Sequence, residues 1–322
     1  MPKVSVILTV YNNKNDIMKA IESIFAQTYK DWELIIVNDG STDGLYDVIK
    51  NIVEANKDKI IYLENPVNIG RYQSLNEGII RANGKYICII DSDDEYHVSK
   101  IEKQVNFLET KKTRVGIQTK YKRRKTIRVG EVTIMFRKEI IKRIGYYDSV
   151  RFAADSEFIA RIKKVYGPLA LPKIPELLYF SKYRKGSLTT AKITGEGGVD
   201  QRIVREKYVT EYKTWHATSK NPNMAYPLTE RPFPVDPIMI KTPNTKPTEI
   251  KPPITKELET NPEKVNLIEN KPAEVNPTDT KPADTKTIEI KQEIIKPSTK
   301  TIETKTVKPI KQPVTKPNVR KK

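Results

Sequence analysis

Three acidic residues follow an apolar run in the segment YICIIDSDDEYH, which covers residues 86–97. Asp91, Asp93 and Asp94 fall within four positions, and burying such like charges without partners is strongly unfavourable. Two carboxylates at positions i and i+2 after a strand can turn toward one hard cation. A site with only a few protein oxygens suits Mg²⁺ or Mn²⁺, because these ions also bind substrate phosphates. We therefore predict a metal site at Asp91 and Asp93. An exposed acidic turn is the alternative, in which Asp94 caps the helix that follows.

The acidic segment ends the fourth strand of a regular alternation of strands and helices. Apolar β-rich runs predict strands at 4–10, 33–39, 60–65 and 86–90, and helical spacing predicts helices at 14–28, 44–56, 70–82 and 98–109. This order argues for a parallel sheet covered by helices on both faces. The second half is less regular, with strands predicted at 132–136 and 177–184 and helices at 137–144, 155–165 and 200–214.

Polar residues gather where the predicted strands end. They are Thr9 with Tyr11, the segment 38–40, the segment 68–71 and the segment 91–94. Ligands of open α/β sheets bind outside the carboxyl ends of the strands. The three acids are therefore expected at a binding crevice and not in a core.

Composition divides the chain near residue 241. Residues 241–322 contain no Phe, Trp or Tyr, carry twelve of the 22 prolines, and repeat the phrase Thr-Lys-Pro. Such a segment buries too little apolar surface to offset its ordering entropy, so we predict a disordered tail. We predict two halves of the folded body, at 1–110 and 111–215, followed by an irregular linker at 216–240.

Charge and cysteine content narrow the class of protein. The net charge is +18, which suits anionic partners such as phosphorylated ligands or an anionic membrane surface. A single cysteine, Cys88, excludes an internal disulfide, and we expect it to be a buried apolar residue. No apolar run approaches a membrane span, and Met1 leads directly into a strand pattern. We expect a cytoplasmic protein, with peripheral membrane contact as a further expectation and nucleic acid not expected as a partner.

The sequence resembles the family 2 glycosyltransferases, which have the GT-A fold. The residues that carry the resemblance are VSVILTVYNN from residue 4, QTYKDWELIIVNDGSTDG (27–44), NIGRYQSLNEGIIRANGKYICIIDSDD (68–94), ADSEF (154–158) and YRKGSLT (183–189). The resemblance implies a mixed, mostly parallel nucleotide-binding sheet flanked by helices. It implies that residues 1–110 are the nucleotide-sugar-binding half and that residues 111–215 are the half that binds the acceptor and carries the catalytic base. It also implies an inverting transfer of a hexose or N-acetylhexosamine from a nucleotide-diphosphate sugar, with UDP-sugar the expected donor.

The resemblance assigns roles on the donor side. Asp39 is implied to contact the nucleotide base, in a pocket that Thr9 and Tyr11 line. Arg71 is implied to lie near the diphosphate, Asp93 to bind the metal directly, and Asp91 to lie near the ribose. Further implied donor-binding residues are Ser92 and, in a late motif that closes over the phosphates, Tyr183, Arg184 and Ser187.

On the acceptor side, the resemblance implies that Asp155 is the catalytic base. It would accept the proton of a glycan, lipid-linked or protein hydroxyl as that oxygen attacks the anomeric carbon in a single displacement. The chain departs from the family in a short interval between Asp94 and Asp155, and in Ala154, which replaces the usual glutamate. The basic segment 119–128 faces either an anionic acceptor or lipid phosphate, or is a solvated hairpin.

Several of these residues have a simpler interpretation. Asp39 could cap the turn that follows it, Arg71 could be solvated, and Asp155 could cap its own helix. Tyr183 and Arg184 could only pack and pair. His97 and His216 are interpreted as surface or packing residues.

Other functions are also considered. A nucleotidyltransferase or a dinucleotide oxidoreductase would carry a glycine-rich loop after the first strand, and TVYNNKND has no glycine there. An inactive basic binding protein with the same fold is the remaining alternative.

Overall fold

A computed structural model describes residues 3–183 and 201–241 of the chain. The predictions for Arg184, Ser187 and the tail at 242–322 fall outside these residues and stay predictions. Nine strands and seven α-helices are present in the described residues. None of these helices combines the length and apolar character needed to cross a bilayer.

The first half of the chain alternates strands and helices as predicted. Its elements are β1 Val4–Val10, α1 Ile17–Phe25, β2 Trp32–Asn38, α2 Leu45–Ala55, β3 Ile60–Glu64, α3 Arg71–Arg81, β4 Tyr86–Asp91, β5 Glu95–Tyr96 and α4 Lys100–Thr110. Strands β3, β2, β1 and β4 lie side by side in that order, and all three pairings between them are parallel. The predicted parallel sheet is therefore confirmed for this half.

The second half extends the same sheet with strands of both directions. Its elements are β6 Gly116–Arg123, β7 Thr126–Val129, β8 Met135–Arg137, α5 Ile141–Ile144, α6 Ala154–Tyr166, β9 Lys173–Phe180 and α7 Gln201–Thr218. Strand β8 joins β4 antiparallel, and β6, β9 and β5 continue the sheet beyond it. The fold class predicted from the resemblance, a mixed sheet flanked by helices, is confirmed.

Alternate residues of the central strands face two different cores. Val6 and Leu8 of β1 pack in one core with α1, α2 and α4, whereas Ile7 packs in the other with α3, α6 and α7. Both β1 and β2 are buried along their whole length. Continuous apolar strands are expected where helices cover both faces of a parallel sheet.

Some boundaries in the second half differ from the prediction. The strand predicted at 132–136 begins only at Met135, because Glu131–Thr133 forms a 3₁₀ turn. The helix predicted at 137–144 starts with another 3₁₀ turn, and its α-helical part is α5 alone. The basic segment 119–128 forms the β6–β7 hairpin, which agrees with the hairpin interpretation.

Candidate functional site

Parallel pairing brings the predicted polar strand ends to one edge of the sheet. Thr9 is in register with Asp91 across β1 and β4, and Val10 is in register with Asn38 across β1 and β2. The backbone amide of Asp39 donates to the carbonyl of Val10 at 2.8 Å. Tyr11 is 46% exposed and therefore offers its ring to a ligand at this edge.

Asp39 organises the loop that leads into α3. Its two carboxylate oxygens accept the backbone amides of Ile69 and Gly70 at 2.8 and 3.0 Å. Burial raises the pKa of Asp39, and these hydrogen bonds oppose that rise. The turn after β2 is held instead by Asn38, whose side-chain oxygen accepts the amide of Ser41 at 3.0 Å. The turn-cap interpretation of Asp39 was therefore wrong, whereas its predicted contact with a base stays a prediction.

Arg71 binds the first acid of the DSDD segment. Its Nε and Nη2 atoms both donate to Oδ1 of Asp91, at 2.9 and 2.5 Å. Arg71 is the first residue of α3 and Asp91 is the last residue of β4, so the contact joins two predicted strand-edge segments. The interpretation of Arg71 as merely solvated was wrong.

Tyr72 extends this contact to the predicted catalytic base. Tyr72 lies close enough to Asp155 for the Asp155 backbone amide and carboxylate to influence the pKa of its hydroxyl. Burial raises the pKa of Tyr72, and the Asp155 charge raises it further. Burial acts to lower the pKa of Arg71, but nearby charges, among them those of Asp91 and Asp155, raise it. Asp91, Arg71, Tyr72 and Asp155 therefore lie close together, although 64 positions of sequence separate the two acids.

Asp155 lies in the first turn of α6. The N-cap residue that precedes this helix is Ala153, whose backbone is in the left-handed region at φ 71° and whose side chain makes no capping hydrogen bond. One Asp155 oxygen accepts the amide of Ser156 at 2.9 Å. Below it, Tyr147 stacks on Phe158 at 4.0 Å and on Tyr72 at 5.9 Å. Asp155 is therefore not the cap of its helix.

Asp94 is the buried member of the acidic cluster. It is 2% exposed, and its oxygens accept the Tyr179 hydroxyl and the Lys182 amide, both at 2.8 Å. Burial, followed by the charges of Asp91 and Asp93, raises the pKa of Asp94 to about 7. The prediction that Asp94 caps the following helix was wrong, because its partners come from β9 and the residues after it.

The remaining predicted residues lie around this centre. Ser92 is buried, and its hydroxyl accepts the side-chain amide of Asn13 at 2.9 Å. Asp93 is half-buried and lines a cavity of about 210 Å³ together with Asp16 and Lys182, which form an ion pair. Tyr183 is 41% exposed beneath the guanidinium of Arg124, at 3.4 Å.

The acidic cluster was tested for its fit to a divalent cation. In residues 3–183 and 201–241, no group of three or more His, Cys, Asp or Glu side chains could hold a metal ion without other ligands. Mg²⁺ is commonly held by one or two carboxylates together with substrate phosphates. Asp91 and Asp93 are half-buried at the crevice, and after burial their charges are the main causes that raise the pKa of Asp94. The residues therefore fit a cation bound jointly with a phosphorylated ligand.

Sequence reasoning missed Tyr72, Asn13 and the partners of Asp94. Tyr72 directly follows Arg71 in a segment already assigned to the site, and this adjacency was the available signal. The Tyr179 and Lys182 contacts with Asp94 join residues more than 80 positions apart. A local sequence pattern does not predict contacts over such distances. Cys88 is fully buried as expected, and His216 is a packing residue bound to Glu157 at 2.9 Å.

Comparisons with known proteins show a family profile and curated relatives that are similar to this chain. The profile described as Glycosyl transferase family 2 matches residues 5–163. The Escherichia coli protein named UDP-Glc:alpha-D-GlcNAc-diphosphoundecaprenol beta-1,3-glucosyltransferase WfaP is 39% identical over 112 residues, which is 35% of this chain and 43% of WfaP. The chain spans less than half the length of WfaP and of three other similar curated relatives.

Two solved structures share the fold. S. aureus TarS in complex with UDP-GlcNAc aligns with a TM-score of 0.52 at 19% identity, over 59% of this chain and 62% of that one. The mannosyltransferase PcManGT from Pyrobaculum calidifontis, in complex with GDP-Man and Mn²⁺, aligns with a TM-score of 0.51 at 17% identity, over 69% and 66% of the two chains.

Proposed function

Because residues 5–163 of the chain belong to glycosyl transferase family 2, we propose that the protein transfers a sugar from a nucleoside diphosphate donor to a hydroxyl acceptor. The observation that carries the proposal is that Arg71 binds Asp91 while the Asp155 charge acts on both Arg71 and its neighbour Tyr72. This arrangement brings an acid at the donor edge of the sheet near a carboxylate at the start of α6. A transferase needs these two positions side by side, because donor and acceptor react across a short gap.

The mechanism proposed is a single inverting displacement. Asp155 accepts the proton of the acceptor hydroxyl while that oxygen attacks the anomeric carbon. Tyr72, which lies beside Asp155, would orient the carboxylate, and Arg71 would contact the departing diphosphate. Asp93, with Asp91 beside it, would hold a Mg²⁺ or Mn²⁺ ion, which supplies positive charge for the leaving diphosphate.

The name of WfaP supports a narrower choice of substrates. That protein is named for a UDP-glucose donor and for an acceptor linked to a lipid diphosphate. We assign the same classes here, a UDP-hexose or UDP-N-acetylhexosamine donor and a lipid-linked sugar acceptor. A glycan or a protein hydroxyl is the alternative acceptor.

The β6–β7 hairpin fits the anionic membrane surface that would carry such an acceptor. Its tip, residues 122–128, exposes Lys122, Arg124, Lys125 and Arg128 around Ile127, which is 51% exposed. Basic side chains that surround an apolar one are suited to anionic headgroups, at about 1 kcal/mol per charge. The protein would then lie peripherally on the membrane with its acceptor site near the headgroups.

Nucleotide release tests the proposed activity. Wild-type protein should release nucleotide from at least one member of a panel of UDP-, GDP- and dTDP-sugars in the presence of Mn²⁺, and chelation should reduce the rate. The variant Asp93→Ala should lose the activity, whereas Asp31→Ala, on an exposed residue at the other end of β2, should retain it. Wild-type protein that binds none of these nucleotides by calorimetry would favour the inactive basic binding protein.

A further inference from the structure

The residues that follow α7 return across the body of the protein to the donor edge of the sheet. We call residues 219–241 the C-terminal strap. The strap pairs its Met224 backbone with both Ile144 and Tyr146, at 3.0 and 2.7 Å. Met224, Phe233 and Met239 are buried in the core that contains α3, α6 and α7. The strap is therefore a packed part of the fold.

The last described residues of the strap are anchored beside the loop before α6. The backbone amide of Arg151 donates to the carbonyl of Met239 at 2.8 Å. Met239 is fully buried, and the 3₁₀ turn that contains it is capped by Asp236, which accepts the Ile238 amide at 3.1 Å. Two residues after Met239, the position of the Lys241 backbone is thereby determined.

Lys241 lies against the residues that line the predicted nucleotide pocket. Its ammonium is 5.9 Å from the centre of the Tyr11 ring. Its side-chain carbons pass Gly70, where an added Cβ would lie 3.8 Å from Lys241 Cδ. Burial lowers the pKa of Lys241, the nearby Asp39 charge opposes this effect, and the Arg151 charge adds to it.

These neighbours indicate what the ammonium is available to bind. Both oxygens of Asp39 are already engaged by the amides of Ile69 and Gly70. Arg151 adds a second positive charge, and Arg71 follows Gly70 directly. An anionic ligand that enters between Tyr11 and Gly70 would meet a positively charged wall supplied by the strap. A nucleoside diphosphate has the negative charge and the ring that such a pocket accommodates.

We propose that Lys241 is a nucleotide-binding residue, and that the C-terminal strap forms one wall of the donor pocket. This inference rests on the proposed function and adds a residue that lies 78 positions beyond the region matched by the family profile. The ammonium binds an oxygen of the nucleoside diphosphate part of the donor, while the aliphatic stem packs on Gly70.

Calorimetry with UDP, GDP and dTDP tests the inference on the full chain. Lys241→Met keeps the aliphatic stem and removes the charge, so the nucleotide that binds wild type best should bind about tenfold more weakly, which corresponds to one charge-assisted hydrogen bond. Lys241→Arg should retain most of the affinity. Lys220→Met, on an exposed lysine at the start of the same strap, is the matched control and should bind as wild type does.

The outcomes separate this inference from the proposed function. Tenfold weaker binding by Lys241→Met, with unchanged thermal unfolding and an unaffected Lys220→Met, supports the assignment. Equal or tighter binding by Lys241→Met overturns it, because the side chain would then be a bystander or an obstacle in the pocket. Failure of the wild type to bind any of the three nucleotides would overturn the proposed function itself.

Discussion

Single side chains join the two ends of the candidate site. Arg71 and Tyr72 are consecutive residues at the start of α3, and they face different partners, Asp91 at the end of β4 and Asp155 in α6. The start of α3 therefore determines the distance between Asp91 and the proposed base, Asp155. Substitutions at these positions should affect the chemistry more than the fold.

Asp155→Asn tests the role of the base. The amide keeps the size of the side chain but cannot accept a proton, so the transfer rate should fall about 10²- to 10⁴-fold. Transfer to acceptor and UDP affinity are measured on the same preparation, and the affinity should change by less than about twofold. A variant that transfers sugar within tenfold of the wild-type rate would exclude Asp155 as the base.

Asp94 has a structural role in the acidic cluster. Its partners Tyr179 and Lys182 connect the end of β4 to the end of β9. The same Tyr179 hydroxyl lies 3.3 Å from the backbone amide of Asp91, which donates to it. Tyr179 of β9 and Lys182 after it therefore stabilise the acidic cluster at the end of β4.

Tyr179→Phe should destabilise the protein by about 1–3 kcal/mol, because a buried carboxylate loses a hydrogen-bond partner. Urea unfolding followed by circular dichroism gives the free energy of unfolding. Tyr183→Phe is the comparison, since the Tyr183 side chain is 41% exposed and its ring remains beneath Arg124. Similar losses in the two variants would contradict the bracing role.

At the scale of elements, the loop between α5 and α6 sets where Asp155 lies. The loop starts at Gly145, whose φ is 74°, and a Cβ there would lie 2.0 Å from the carbonyl oxygen of Met224. The C-terminal strap therefore approaches α5 more closely than any side chain permits. Gly167 ends α6 with a φ of 89° and has open space around it.

Gly145→Ala and Gly167→Ala form a matched pair. Both place a side chain in the left-handed region, which costs about 1–2 kcal/mol. Gly145→Ala must also displace the strap, so its total loss should be about 2–4 kcal/mol. Urea unfolding measures both, and equal losses would show that the contact with Met224 adjusts without cost.

At the scale of the whole molecule, buried polar groups fasten the C-terminal elements onto the sheet. Glu157 of α6 binds both Arg161 and His216, and Arg161 and Glu157 are completely buried. Asp148 is also fully buried, and it binds Tyr208 of α7 and Arg231 of the strap. Removing one member of a buried ion pair leaves the other charge uncompensated.

Arg231→Met should therefore destabilise the protein by about 3 kcal/mol at neutral pH. Burial already raises the pKa of Asp148, and Arg231 opposes that rise, so the variant's pKa is higher still. The folded state then binds the proton more tightly than the unfolded state, and stability rises as the pH falls through the raised pKa toward the unfolded value near 4.

The measurement for Arg231→Met is a series of urea unfolding curves across this pH range. The difference between variant and wild type should shrink as the pH falls. Arg81→Met, on an exposed residue at the end of α3, should show neither the loss nor the trend. A pH-independent loss in Arg231→Met would mean that packing and not charge is responsible.

The sequence by itself determined the parallel half of the fold and the position of its ligand edge. Continuous apolar runs predict buried strands, and the polar residues that end them must meet at one edge because parallel strands share a direction. Thr9, Asp39, Arg71 and Asp91 could therefore be assigned to one crevice before any contact was known. The family resemblance, carried by local motifs, added Asp155.

Only the tertiary structure decided which of these residues touch. The Arg71–Asp91 pair, the Tyr72–Asp155 contact and the bracing of Asp94 depend on how α3, α6 and β9 pack, and periodicity carries no information about such distant pairs. Strand β5 has two residues, too few for a pattern. Lys241 lies where the composition becomes rich in Lys and Pro, which predicts disorder. Its position beside Tyr11 and Gly70 depends instead on a backbone hydrogen bond between Arg151 and Met239.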